Sequence, residues 1–200
     1  HKVWSMKNKA WLFLLVLAGL SVVGYKTCYW FETQLDHYNY PWAYSDEKSE
    51  RLVGEWTGNF TDPDGVSHSI QMTIVDPVTE EERERRIRKR PRRSRVRSKS
   101  YTGFDGVALI NTNGKVDSMR VSGSLGTVTP PCDFKARVSP AIDDNHLVGF
   151  ELNQLDGTWK EEQLHLTATF AYFRSDKSSF YDSANPKHNF TFPFVLKRAR

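Results

Sequence analysis

The chain is poor in cysteine and methionine and holds one long uncharged run. Two cysteines, Cys28 and Cys132, in 200 residues exclude a disulfide-built scaffold and a self-contained four-ligand zinc site. One apolar run excludes a multi-span membrane protein. Nine prolines and 12 glycines are too few for a collagenous or low-complexity chain. Catalytic signatures are missing as well: there is no phosphate-cradling loop, no Gly-x-Ser-x-Gly and no His-Glu-x-x-His. His1, His37, His68, His146, His165 and His188 are scattered without ligand spacing, and only strand pairing would gather His68, His146 and His165. Asp143 and Asp144 adjoin as in a turn. No enzyme, cofactor or metal site is therefore expected, and no bond between Cys28 and Cys132.

What is present is enough for a core: 38% of residues are hydrophobic and 13% aromatic. Charge is unevenly placed. The formal net charge is +4, but residues 80–99 alone carry +7 and leave −3 for the rest. The basic character thus belongs to one segment and gives little support for nucleic-acid binding.

Residues 10–25 read AWLFLLVLAGLSVVGY, uncharged, behind Lys2, Lys7 and Lys9. Sixteen residues of helix cover about 24 Å, short of a hydrocarbon core of about 30 Å. Beyond Lys26, whose stem can run along apolar surface, Cys28, Tyr29, Trp30 and Phe31 resume the apolar character, so residues 10–31 reach across. This is either an uncleaved anchor contacting membrane lipid or a secretory signal cleaved on export. The basic residues 1–9 place the amino terminus in the cytoplasm of an inner-membrane, single-pass protein, with the body in the periplasm. Residues 32–50 read as an aromatic-rich juxtamembrane linker, and the aromatics of 25–44 lack helical period and suggest an irregular course.

From residue 51 to 200 the dominant period is two. Ile70, Met72 and Ile74 make one stripe; Met119, Val121 and Leu125 another; Leu164 to Tyr172 the longest; Phe190 to Leu196 the last. Asp64-Gly65, Asn113-Gly114 and Asp156-Gly157 stand between stripes as hairpin dipeptides. Eight strands are predicted, over 51–61, 66–76, 101–112, 115–125, 132–139, 146–154, 158–173 and 189–197. The expected fold is mainly β: an antiparallel up-and-down barrel of about eight strands after one amino-terminal transmembrane helix, with a two-sheet sandwich as the other arrangement. Trp56, Phe60, Met72, Phe150, Phe170 and Phe192 are the expected interior residues, as core if the barrel is filled and as lining if it is hollow.

Gly54-Glu55-Trp56 at the first strand resembles the Gly-x-Trp opening of lipocalins and related calycin barrels. The resemblance implies a basic residue from the barrel's end packed over the tryptophan, here Lys197 or Arg198, and an apolar ligand in the barrel mouth. The chain as a whole resembles small envelope proteins of Gram-negative bacteria.

Residues 79–99, TEEERERRIRKRPRRSRVRSK, interrupt the strand pattern between the second and third strands. Thr79 and Glu82 form a capping-box pattern, and Glu81–Arg85, Glu82–Arg86 and Glu84–Arg88 are spaced as i,i+4 pairs. A short helix over 80–89 and a basic arm after Pro91 follow. Residues 83–99, through Arg86, Arg90, Arg92, Arg93, Arg95 and Arg97, are the expected contact for an anionic surface or an acidic protein partner. Nucleic acid is disfavoured, because no aromatics are interleaved for base stacking. The expected role is non-enzymatic binding of a lipid-like or apolar ligand; the alternatives are a docking subunit of a membrane complex with a filled barrel, and an enzyme whose site has no sequence signature.

Overall fold

The computed structural model describes residues 2–44, 50–88, 101–128, 130–141, 149–173, 179–180 and 190–199. The chain falls into two compact units, one of residues 1–39 and 78–98, the other of 40–77 and 99–200.

The first unit is helical. Helix α1 runs over Lys2–Asn39, so the irregular course expected of residues 25–44 is corrected as far as Asn39. The aromatics there have no helical period because no single face of this helix is apolar. Instead Trp11, Phe13, Leu15, Leu17, Leu20, Val23, Trp30 and Phe31 are all exposed. Residues Trp11–Asn39 have a mean hydropathy of 1.7 over their best window, and the helix is long and apolar enough to cross a membrane. Two of its hydroxyls bond within the helix: Ser21 donates to the Leu17 carbonyl and Thr27 to that of Val23, each at 2.8 Å. Helix α2 (Glu80–Arg88) follows the expected bounds to within a residue, and Thr79 caps it by accepting from the Glu82 amide at 3.2 Å.

The second unit is a closed, antiparallel, eight-stranded β-barrel. Its strands are β1 (Gly54–Thr61), β2 (Ser67–Ile74), β3 (Gly103–Thr112), β4 (Lys115–Leu125), β5 (Cys132–Pro140), β6 (Gly149–Lys160), β7 (Gln163–Phe173) and β9 (Thr191–Arg198). A two-residue strand, β8 (Ser179–Phe180), pairs with β7 at Tyr172 and Phe173, beyond the stretch that pairs with β9. Neighbours in sequence pair from β1 to β7, then β9 pairs with both β7 and β1 to close the ring. Alternation supplies the core. Trp56 and Phe60 on β1, Ile70, Met72 and Ile74 on β2, and Phe134, Ala136 and Val138 on β5 all point inward and are buried.

Two of the three hairpin dipeptides lie in turns. Asn113 and Gly114 have positive φ between the paired Thr112 and Lys115, and Gly65 has positive φ between β1 and β2. Asp156-Gly157 does not: both residues lie inside β6, and the turn comes at Glu161, between the paired Lys160 and Gln163. Gly157 is there for space, since a Cβ would run into the His165 carbonyl of β7. The register shifts between Leu152 and Gln154, and this bulge lets Leu152 and Leu155 both be buried although their numbers differ in parity.

Candidate functional site

The two ends of the barrel are built differently. At the end where β1 begins, the interior is filled. Trp42, Leu52, Trp56, Phe134 and Trp159 are fully buried, and Phe104 stacks on Phe134 with ring centroids 4.9 Å apart. Each indole finds a carbonyl: Trp56 donates to Leu52 at 2.8 Å, Trp42 to Tyr101 at 2.8 Å and Trp159 to Glu161 at 3.1 Å. Arg198 lies directly across the β1–β9 seam from Trp56, on the same inward stripe. Its guanidinium sits 4.6 Å above the Trp56 ring, donates to the Val53 carbonyl at 3.0 Å and pairs with Glu162 at 3.0 Å. Gly54, at φ +136°, leaves room for it: a Cβ there would come within 2.7 Å of an Arg198 nitrogen. Of the two basic residues expected over the tryptophan, Arg198 takes the place and Lys197 is exposed.

At the opposite end lies a cavity of about 400 Å³. Its floor is apolar: Phe60, Ile110, Met119, Leu152 and Phe170. The rim comes from the same inward stripes, carried one step past the core on adjacent strands. On one side these stripes end in polar residues: Asp62 after β1, His68 on β2, Thr112 on β3 and Asp117 on β4. On the other side stands Phe150 of β6, in edge contact with Tyr172 at 4.9 Å.

The polar side is hydrogen-bonded as a chain. Asp62 Oδ2 lies 3.1 Å from His68 Nε2, and His68 Nδ1 lies 2.6 Å from Thr112 Oγ1. A carboxylate only accepts, so in the neutral ring Nε2 carries the proton and Thr112 donates to Nδ1. The other oxygen of Asp62 accepts from the Val66 amide at 2.8 Å. The imidazole lies flat on Phe60, centroids 4.8 Å apart. Lys115 reaches Asp117 at 3.2 Å.

Phe60 and Phe170, two of the expected interior residues, line this cavity, and Phe150 stands at its rim. Trp56 and Met72 are fully buried away from it. Phe192 is half-buried, packed edge-on against Phe170 at 6.1 Å. His165 is exposed on β7, whereas His146, Asp143 and Asp144 lie outside the described residues. Among the described residues no three metal-ligating side chains gather. Both cysteines are free, and burial pushes the Cys132 thiol above its ordinary range.

In the helical unit, Arg86 is engaged internally. It donates to Asp36 at 2.8 Å and lies 3.8 Å from Glu32 and 3.6 Å from Glu82. Arg83 donates to the same buried Asp36 at 3.0 Å and lies over the Tyr29 ring at 5.8 Å. Burial opposes the charge on both guanidinium groups, yet their hydrogen bonds outweigh it and raise both above the ordinary arginine value: those of Arg83 to Tyr29 and Asp36, and that of Arg86 to Asp36. Arg90, Arg92, Arg93, Arg95 and Arg97 lie outside the described residues. The polar chain at the cavity rim escapes sequence reasoning because its members stand six and 44 positions apart. The available signal is that the inward stripes of β1 to β4 end in polar residues.

No family model, curated protein or solved structure matches the chain.

Proposed function

We propose that this is a membrane-tethered barrel protein that takes up a lipid-like or other apolar ligand in the cavity. The observation that carries the reading is the contrast inside one barrel. One end is packed solid, and the other holds about 400 Å³ over an apolar floor, within the size range of small-molecule sites. Helix α1 serves as the tether, and the leading lysines orient it with the barrel in the periplasm. Arg198 over Trp56 supports the lipocalin-like reading drawn from Gly54-Glu55-Trp56. The test is mass spectrometry of small molecules carried through purification by the full chain and by Leu152→Trp, which fills the cavity. An apolar species present with the first and missing from the second supports the reading; identical extracts overturn it. An alkaline phosphatase fused to the carboxyl end is expected to be active, as it requires the periplasm.

A second reading, a docking subunit, draws on Val107, Leu109 and Val116. These exposed apolar side chains lie on the outer face of β3 and β4. Cross-linking from these positions to another membrane protein, retained in Leu152→Trp, would favour it.

A further inference from the structure

We infer that the cavity selects a small amphiphile with a cationic head, an alkyl or aralkyl primary amine, over neutral or anionic molecules of the same shape. The inference rests on the cavity being a ligand site and adds the chemistry of what enters it.

Size comes first. A volume of about 400 Å³ lies toward the small end of small-molecule sites and suits a compact body.

Charge comes second. The lining includes four carboxylate residues, Asp62, Asp64, Asp117 and Glu151, against Lys115 as the one permanent cation among the described lining residues. Lys115 is already engaged with Asp117. Even with His68 counted as a cation and Glu151 left aside, the described lining is net negative. A carboxylate or phosphate head entering over the apolar floor meets repulsion in a medium that screens it poorly.

Hydrogen-bond polarity comes third and independently of net charge. In the chain Thr112–His68–Asp62, a neutral ring donates from Nε2 to the carboxylate and accepts at Nδ1 from the Thr112 hydroxyl. Both donors are used inside the chain. What remains toward the cavity is lone pairs, on Thr112 Oγ1 and on Asp62. An acceptor-rich edge calls for a donor head, and an ammonium brings three donors and no acceptor. The aromatic floor agrees, because Phe170 lines the cavity and an aromatic ring attracts a nearby cation.

The test uses the full chain in detergent micelles with its methionines ¹³C-labelled at the methyl group. Met119 lines the cavity and Met72 does not, so the two methyls report binding and its place. The titrants are phenethylamine, phenethyl alcohol and phenylpropionate at neutral pH. The expected result is a shift of the Met119 methyl alone, with the amine at least about tenfold tighter than the alcohol and no binding of the acid. Asp117→Asn, on the exposed side of the rim, is expected to weaken the amine severalfold and the alcohol much less. Equal or tighter binding of the alcohol or the acid overturns the charge selection and leaves the apolar-ligand reading standing. No Met119 shift with any of the three overturns both.

Discussion

The plugged end and the hollow end of the barrel are made by the same eight inward stripes, yet they follow opposite rules. At the plugged end the interior is filled by large side chains, three of which place a polar atom on a backbone carbonyl: Trp56 on Leu52, Trp159 on Glu161 and Arg198 on Val53. At the hollow end several stripes finish in short polar residues that bond to one another, such as Asp62, His68 and Thr112. Large buried side chains are concentrated at one end and open volume at the other. The difference teaches that a period-two pattern fixes which way a side chain points but leaves its size to decide between core and cavity.

The comparison can be tested from the largest effect downward. Trp56→Ala at the plugged end is expected to cost about 3–5 kcal/mol, read as a lowered denaturation midpoint, because it removes a fully buried ring and strands the Arg198 guanidinium. Gly157→Ala is expected to cost about 1–3 kcal/mol by the same measurement, since the new methyl meets the His165 carbonyl between β6 and β7. Thr112→Val at the hollow end should cost less, about 1–2 kcal/mol, by leaving His68 Nδ1 without its donor. Phe150→Ala should cost about 1 kcal/mol, as that ring is only half-buried. A Phe150→Ala cost matching that of Trp56→Ala would erase the distinction between the ends. Last, Cys132 on β5 is expected to resist maleimide at pH values that label an ordinary cysteine, becoming reactive on unfolding. Burial raises its thiol pKa, so at a given pH less of the thiolate is present.

Much of the barrel was legible in the sequence because single-sided burial writes itself as alternation. The stripes of Ile70–Ile74 and Leu164–Tyr172 named their strands, and Asn113-Gly114 named its turn. Asp156-Gly157 misled, because the same dipeptide that suits a tight turn also suits a strand where another backbone presses close. Trp42 was hidden for a different reason. It plugs the barrel from a segment of non-repetitive structure, and no periodicity marks such a residue as core. The aromatics of α1 had no helical period because a helix apolar on every side has no preferred face. The candidate site was half legible. Phe60, Phe150 and Phe170 lie on recognisable stripes, but nothing local in the sequence joins Asp62 and His68 to Thr112. Register across β1, β2 and β3 does that.

The ring is shut by β1 meeting β9, which pair through Trp56 with Arg198 and Thr57 with Lys197, and the Ala199 amide donates to the Glu55 carbonyl at 2.8 Å. The strands that complete the cylinder thus stand at opposite extremes of its chain length, and until β9 arrives both β1 and β7 remain unpaired edges. A chain made from its amino end delivers β9 last. Seven of the eight ring strands must therefore wait, with two raw edges, for the final stretch to emerge. That interval is when a chaperone would have most to protect.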